Sequence, residues 1–169
     1  MPDDLESASL TAEELDVWAG VATLLERLPV ALDAQLQRDS GLTNFEHGIL
    51  FALFSAPRST LRLSVLANYA SCTLSRLSRA ISRLEAKGWV RREADPTDGR
   101  FTFGILTDAG RSKVLESTPA HHALIRRLIF DALSPAQAKA LGVITRKIAE
   151  TIGPDAVWRA QDPTAQQAE

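Results

Sequence analysis

One cysteine among 169 residues leaves no possibility of an intramolecular disulfide. The longest strongly apolar run, Ile49 to Phe54, falls far short of the ~20 residues that a helix needs to cross a bilayer. No basic stretch followed by an apolar one opens the chain, so no secretory leader is expected and the cytoplasm is the expected location. Zinc-peptidase spacing (H-E-x-x-H), a phosphate-binding glycine loop and a nucleophile elbow are all missing. Ser64, Ser75 and Ser78 have no motif-linked base, which argues against a hydrolase. His121 and His122 are neighbours that diverge by about 100° on a helix, so they cannot both face one metal ion from the same chain, and His47 stands alone. The expectation is therefore a non-enzyme with no catalytic residue, no metal site and no cofactor. Nothing beyond Gly104 reads as a second α/β fold that could carry a fused catalytic activity.

What the chain does have is enough apolar residues, 45%, for one good core at a length usual for a single domain. A net charge of −2 hides a strong asymmetry. Between Arg58 and Arg100 nine basic residues stand against four acidic ones, a local balance of +5, which leaves −7 on the rest. A basic face on an acidic body orients a protein toward a polyanion.

Within that basic stretch, TLSRLSRAISRLEAKG (73–88) reads as a helix at about 3.6 residues per turn. Leu74, Leu77, Ile81 and Leu84 make one narrow apolar stripe. Ser75, Arg76, Arg79, Ser82 and Arg83 share the opposite arc, with the arginines at i, i+3 and i+7. A guanidinium fork can bond guanine O6 and N7 together or straddle a phosphate. A merely solvated face is the plainer reading of such a helix, but Glu85 is its only acid, so the usual i,i+4 ion-pair lattice is missing. Gly88 supplies a left-handed stop, and Trp89 to Glu93 and Phe101 to Leu106 alternate as strands. The connector ADPTDGR contains Asp-Gly, suited to a tight hairpin turn at positive φ. At its tip Arg100 can enter a minor groove, with Asp98 holding its guanidinium. A cationic helix beside a cationic ribbon has the shape and charge to fill a major groove and touch the flanking phosphates, so double-stranded DNA is the expected partner.

The rest of the chain reads as mostly helical. T-A-E-E at Thr11 resembles a capping box and opens a long helix whose pattern Pro29 should kink or break. A second helix opens at Thr43 with Glu46 as its reciprocal cap and runs to about Ser55; Leu61 to Leu63 can form a short strand, and Ser64 to Ala70 a short helix that supports the arginine-bearing one across a Ser71-Cys72 turn. Thr107 caps a helix to about Leu133, and Ser134-Pro135 starts another to about Ile152. Val114, Leu124, Leu128, Ile129, Leu141, Ile144 and Ile148 offer apolar surface for a bundle or for a second protomer. Residues 1–10 are expected to be flexible, as is the tail 153–169 despite Trp158.

The stretches LTNFEHGIL (42–50), LRLSVLA (61–67), LSRLSRAISRLEAKGWVRR (74–92), DPTDGR (95–100) and ILTDAGR (105–111) come in the order and spacing of the MarR family of winged helix-turn-helix transcriptional regulators, which the chain resembles over roughly residues 15–152. The resemblance implies a mainly α fold with a small β-wing, a DNA-binding lobe at about 43–107 and long flanking dimerisation helices at about 11–38 and 108–152. It carries DNA contacts onto Ser75, Arg76 and Arg79, and wing contacts onto Asp98 and Arg100; Arg83 joins them from its place on the helix arc. Gly99 stands where many members have a second basic residue. It further implies a homodimeric repressor on a palindromic operator, released by a small aromatic or anionic ligand. Trp18, His47 and Phe51 fall at helical spacing for lining a crevice but serve equally well as core, so no ligand residues are assigned. Two alternatives stand beside this: a winged-helix protein-interaction module, and a redox-responsive regulator using Cys72, which lies beside a helix N-terminus in basic surroundings. A free cysteine is more often a small semi-buried residue, and redox-sensing members of the family place theirs near the first long helix.

Overall fold

The computed structural model describes residues 9–95 and 98–153. Helix α1 (Ala12–Ser40) leads into α2 (Asn44–Ser55), a 3-10 turn at Pro57–Ser59, strand β1 (Thr60–Arg62), α3 (Leu63–Tyr69), α4 (Leu74–Ala86), the hairpin β2 (Val90–Ala94) and β3 (Thr102–Leu106), α5 (Asp108–Leu128), and α6 (Pro135–Ile152). The three strands form one antiparallel sheet in the order β1-β3-β2, with Thr60 opposite Ile105 and Val90 opposite Leu106. This is the mainly α, winged helix-turn-helix arrangement that the sequence implies. Among the described residues no helix is long and apolar enough to cross a membrane.

Local chemistry sets the helix ends. Thr11 with Glu14, Thr43 with Glu46, and Ser134 with Gln137 form reciprocal capping boxes, and Thr73 and Thr107 cap α4 and α5 through their hydroxyls. At the end of α4, Gly88 takes φ 74°, its N–H donates to the Glu85 carbonyl and that of Trp89 donates to Leu84, which closes the helix and aims the chain into the wing.

The core lies under α4. Leu36, Leu42, Ile49, Leu50, Leu53, Leu66, Leu77, Ile81, Leu84, Val90 and Val114 are fully buried. Leu77, Ile81 and Leu84 thus lie where the spacing puts them, but Leu74 is 54% exposed, because it opens the helix in a first turn that overhangs the core. Three further expectations are revised. Helix α1 does not break at Pro29, the second of the two outcomes expected there; the proline sits on its exposed side and forgoes one i→i−4 bond. Gly99 does not take positive φ; the Phe101 N–H closes a turn on the Asp98 carbonyl at 3.0 Å and Asp95 N–H reaches the Phe101 carbonyl, so the wing ends in a longer loop than a two-residue hairpin. Helix α5 stops at Leu128, and a 3-10 turn at Phe130–Ala132 separates it from α6. Of the segments expected to be flexible, residues 1–8 and 154–169, Trp158 included, lie outside the described residues.

Candidate nucleic-acid interface

The N-cap of α4 determines where its polar arc begins. Thr73 accepts from the Arg76 N–H and its hydroxyl lies 3.2 Å from that of Ser75. Ser75, Arg76, Arg79, Ser82 and Arg83 are all exposed, as the angular reading requires. Arg76, Arg79 and Arg83 line one open groove of about 400 Å³ together with Asp33 of α1 and Thr43 and Phe45 at the start of α2. Two of these arginines are held by residues at the start of α2. Arg83 Nε donates to Glu46 Oε1 of α2 at 2.9 Å, and Arg76 lies with its guanidinium carbon 4.8 Å from the Phe45 ring centroid. On the wing side, Glu85 accepts from both the backbone and the side chain of Arg92 in β2, and Arg92 also donates to Ser82. Those bonds hold the Glu85 carboxyl below its ordinary pKa. Ser82, the one arc residue left out of the expected contacts, is therefore engaged in bracing the wing. Arg79 has no hydrogen bond, ion pair or ring contact within the described residues.

At the wing, Arg100 donates from Nε and Nη2 to both carboxylate oxygens of Asp98, the shortest contact being 2.6 Å, while its side chain stays 85% exposed. The fork is thus held at the tip and open to solvent. The Asp98 carboxyl is lowered in pKa by those side-chain bonds and by the Arg100 N–H. The base of the wing has a pair that sequence reading missed. Arg62 of β1 reaches the buried Asp95 at 2.7 Å and lies over the Phe101 ring at 4.5 Å. These residues are 33 apart, and no local spacing announces them.

Cys72 is partly buried and packs against the core, as the plainer reading has it. The histidines do not stand apart as expected. His47 on α2 packs against His121 on α5 with ring centroids 4.7 Å apart, and His121 Nδ1 lies 3.1 Å from Gln35 Oε1 on α1. Because Gln35 gives its amide NH₂ to Asp39, its oxygen must accept, so His121 carries its proton on Nδ1. His47 Nε2 is buried and has no hydrogen-bond partner among the described residues. Burial, then the nearby His121 and His122, lowers the His47 pKa to about 4. No group of three or more metal-ligating side chains is found among the described residues. Of the crevice candidates, Phe51 stacks on His47 at 6.1 Å, whereas Trp18 is 54% exposed on α1.

Residues 40–100 match the model of the MarR family. Sco3205, a MarR family transcriptional regulator from Streptomyces coelicolor whose crystal structure is in complex with DNA, is 46% identical; the match covers 86% of this chain and 91% of that one with a TM-score of 0.83. AbsC, a MarR family transcriptional regulator from the same organism, is 33% identical over 85% of this chain and 97% of its own, with a TM-score of 0.81. YkoM of Bacillus subtilis, an uncharacterised HTH-type transcriptional regulator, is 28% identical over 142 residues, which are 82% of this chain and 90% of that protein.

Proposed function

The chain belongs to the MarR family of DNA-binding transcriptional regulators, and on that premise we propose that it is a cytoplasmic, dimeric repressor that binds a palindromic operator and leaves it when a small ligand binds. The family is one of regulators rather than enzymes. The observation that carries the reading is the outward arc of α4, where Arg76, Arg79 and Arg83 open on one groove. The exposed Ser75 and the Asp98-braced Arg100 are proposed to join them in contacting DNA. The DNA complex of Sco3205 supports the same partner.

Arginine contacts to phosphate release condensed counterions, so affinity for operator duplex falls steeply as salt rises. Arg79→Ala costs about 1–3 kcal/mol and relaxes preference at a base position, as expected for a base-reading arginine. Fluorescence anisotropy on duplexes recovered from a random-sequence pool checks both; a flat salt series contradicts the proposal.

Dimerisation is supported by surface that one protomer leaves bare. Helix α6 has no buried residue, yet it carries Leu141, Ile144 and Ile148, and α1 buries only Gln35 and Leu36 of its 29 residues while exposing Leu15, Trp18, Leu24 and Leu25. Such an apolar face on a soluble-type helix calls for a partner, and a second copy about a twofold axis places two α4 helices on half-sites about 34–36 Å apart. Val114, by contrast, belongs to the core. Sedimentation at micromolar concentration is expected to give twice the chain mass, and Ile144→Glu to give monomers with much weaker operator binding; wild-type monomers at that concentration contradict the dimer.

A ligand acts only if it binds a dimer with wrongly spaced α4 helices better than the DNA-competent one. The cluster of buried His47, His121 and Gln35 with half-buried Phe51, where α1, α2 and α5 meet, is a place where such a preference can be expressed.

A further inference from the structure

Three arginines share the exposed arc of α4, but they are not equivalent. Two of them rest on adjacent residues in the first turn of α2. Phe45 lies beneath the Arg76 guanidinium at 4.8 Å, and Glu46 accepts from Arg83 Nε at 2.9 Å. Glu46 is itself immobilised: it is only 4% exposed, and its second oxygen accepts from the Thr43 N–H at 3.2 Å. Burial alone pushes its carboxyl up in pKa, and the bonds from Arg83 and Thr43 outweigh that, so it is held below its ordinary value and stays charged. The geometry of the Arg83 pair matters. Only Nε is engaged among the described residues, and the side chain remains 56% exposed, so its two terminal NH₂ groups are left for another acceptor. Arg79, between the two, has no such support among the described residues.

We infer that Phe45 and Glu46 are positioning residues for DNA binding: the first turn of α2 presets Arg76 and Arg83 as clamps for backbone phosphates, while the unbraced Arg79 is left to adapt to base edges. This rests on the DNA-binding reading above and assigns roles within it. A long arginine side chain loses rotamer freedom when it grips a phosphate, and a fork already held in place loses less. A planar fork tied through Nε also suits two phosphate oxygens better than one free to swing. Because phosphates carry no sequence information, help of this kind acts equally on every duplex.

The inference is tested by a sign. Removing a carboxylate close to a polyanion should, by charge alone, tighten binding. Glu46→Gln keeps the size and the capping acceptor of Glu46, and positioning requires it to weaken binding by about 2- to 10-fold per half-site, the rotamer-ordering cost expressed as a ratio. Anisotropy is measured for the full-length protein on its recovered operator and on a non-operator duplex of equal length, with thermal midpoints recorded alongside. The expected result is an equal loss on both duplexes for Glu46→Gln, and no added loss when it is combined with Arg83→Ala. Phe45→Leu is expected to do the same and to add nothing to Arg76→Ala, whereas Arg79→Ala weakens the operator selectively. Unchanged or tighter binding by Glu46→Gln overturns the inference, as does a loss that multiplies independently with that of Arg83→Ala. Both results leave wild-type binding intact, which separates them from failure of the DNA-binding reading, where wild type itself binds neither duplex and both fall.

Discussion

Replacing Gly110 by alanine is expected to destabilise this protein by about 3 kcal/mol, near the top of the range for forced overpacking, and to lower its thermal midpoint by about 6–12 °C. Gly110 is buried in the first turn of α5, and a Cβ there would stand 2.1 Å from the Trp89 carbonyl oxygen and 2.9 Å from its carbon. A flexible side chain can swing away from such a contact; backbone cannot. The Trp89 carbonyl is moreover already committed, since it accepts from the Thr107 N–H at 3.0 Å, and the Thr107 hydroxyl bonds to the Gly88 carbonyl at 2.7 Å. The methyl group must therefore push apart the junction where α4 ends, the wing begins and α5 starts. A loss of DNA affinity should accompany the loss of stability, because Trp89 directly follows the left-handed turn that ends α4. Gly48→Ala is the control. It is a helical glycine with nothing within 4 Å of the added Cβ, so the better helix propensity of alanine should leave stability unchanged or raise it by up to about 1 kcal/mol. Calorimetry that finds equal midpoints for the two variants would falsify the packing argument.

Acid should weaken the fold well before the carboxylates titrate. His47 has a folded-state pKa of about 4 against an ordinary 6.5, so between those values the unfolded chain binds a proton that the folded one refuses. Stability is then unaffected by this group above pH 6.5, declines as pH falls from 6.5 toward 4, and loses about 3 kcal/mol across that window. The cause is spatial. Protonated His47 would sit buried against His121, which burial and His122 also hold low in pKa, and His47 Nε2 has no acceptor among the described residues to share its proton. Glu46, held below its ordinary value, adds a loss of the same sign, but below pH 4.5. Urea unfolding at pH 7.5, 5.5 and 4.5 measures the decline, and His47→Leu should flatten most of it. Parallel profiles for wild type and His47→Leu would show that another group is responsible.

Much of this architecture was legible in the chain because it depends on residues three or four apart. The capping boxes at Thr11 and Thr43, the glycine stop at Gly88 and the arginine arc of α4 are all local, and each is found where the spacing put it. The misses have a common source. Leu74 satisfies the apolar period of α4 but lies in a turn with no core beneath it, and Pro29 breaks a helix rule at a position where the lost bond leaves only a solvent-facing gap. His47 looked solitary because its partner His121 is contributed by α5, and Glu46 looked like a cap alone because Arg83 lies 37 residues further on.

Periodicity, capping chemistry and charge distribution determined that this chain forms a helical body with a basic helix and ribbon, since those properties are set by bond geometry within a few residues. Only the packed molecule decided which of the cations on that helix are braced, which is left free, and what meets at the junction of α1, α2 and α5. Such pairings follow from where a shared hydrophobic core brings distant segments into contact, and no short-range pattern encodes that distance.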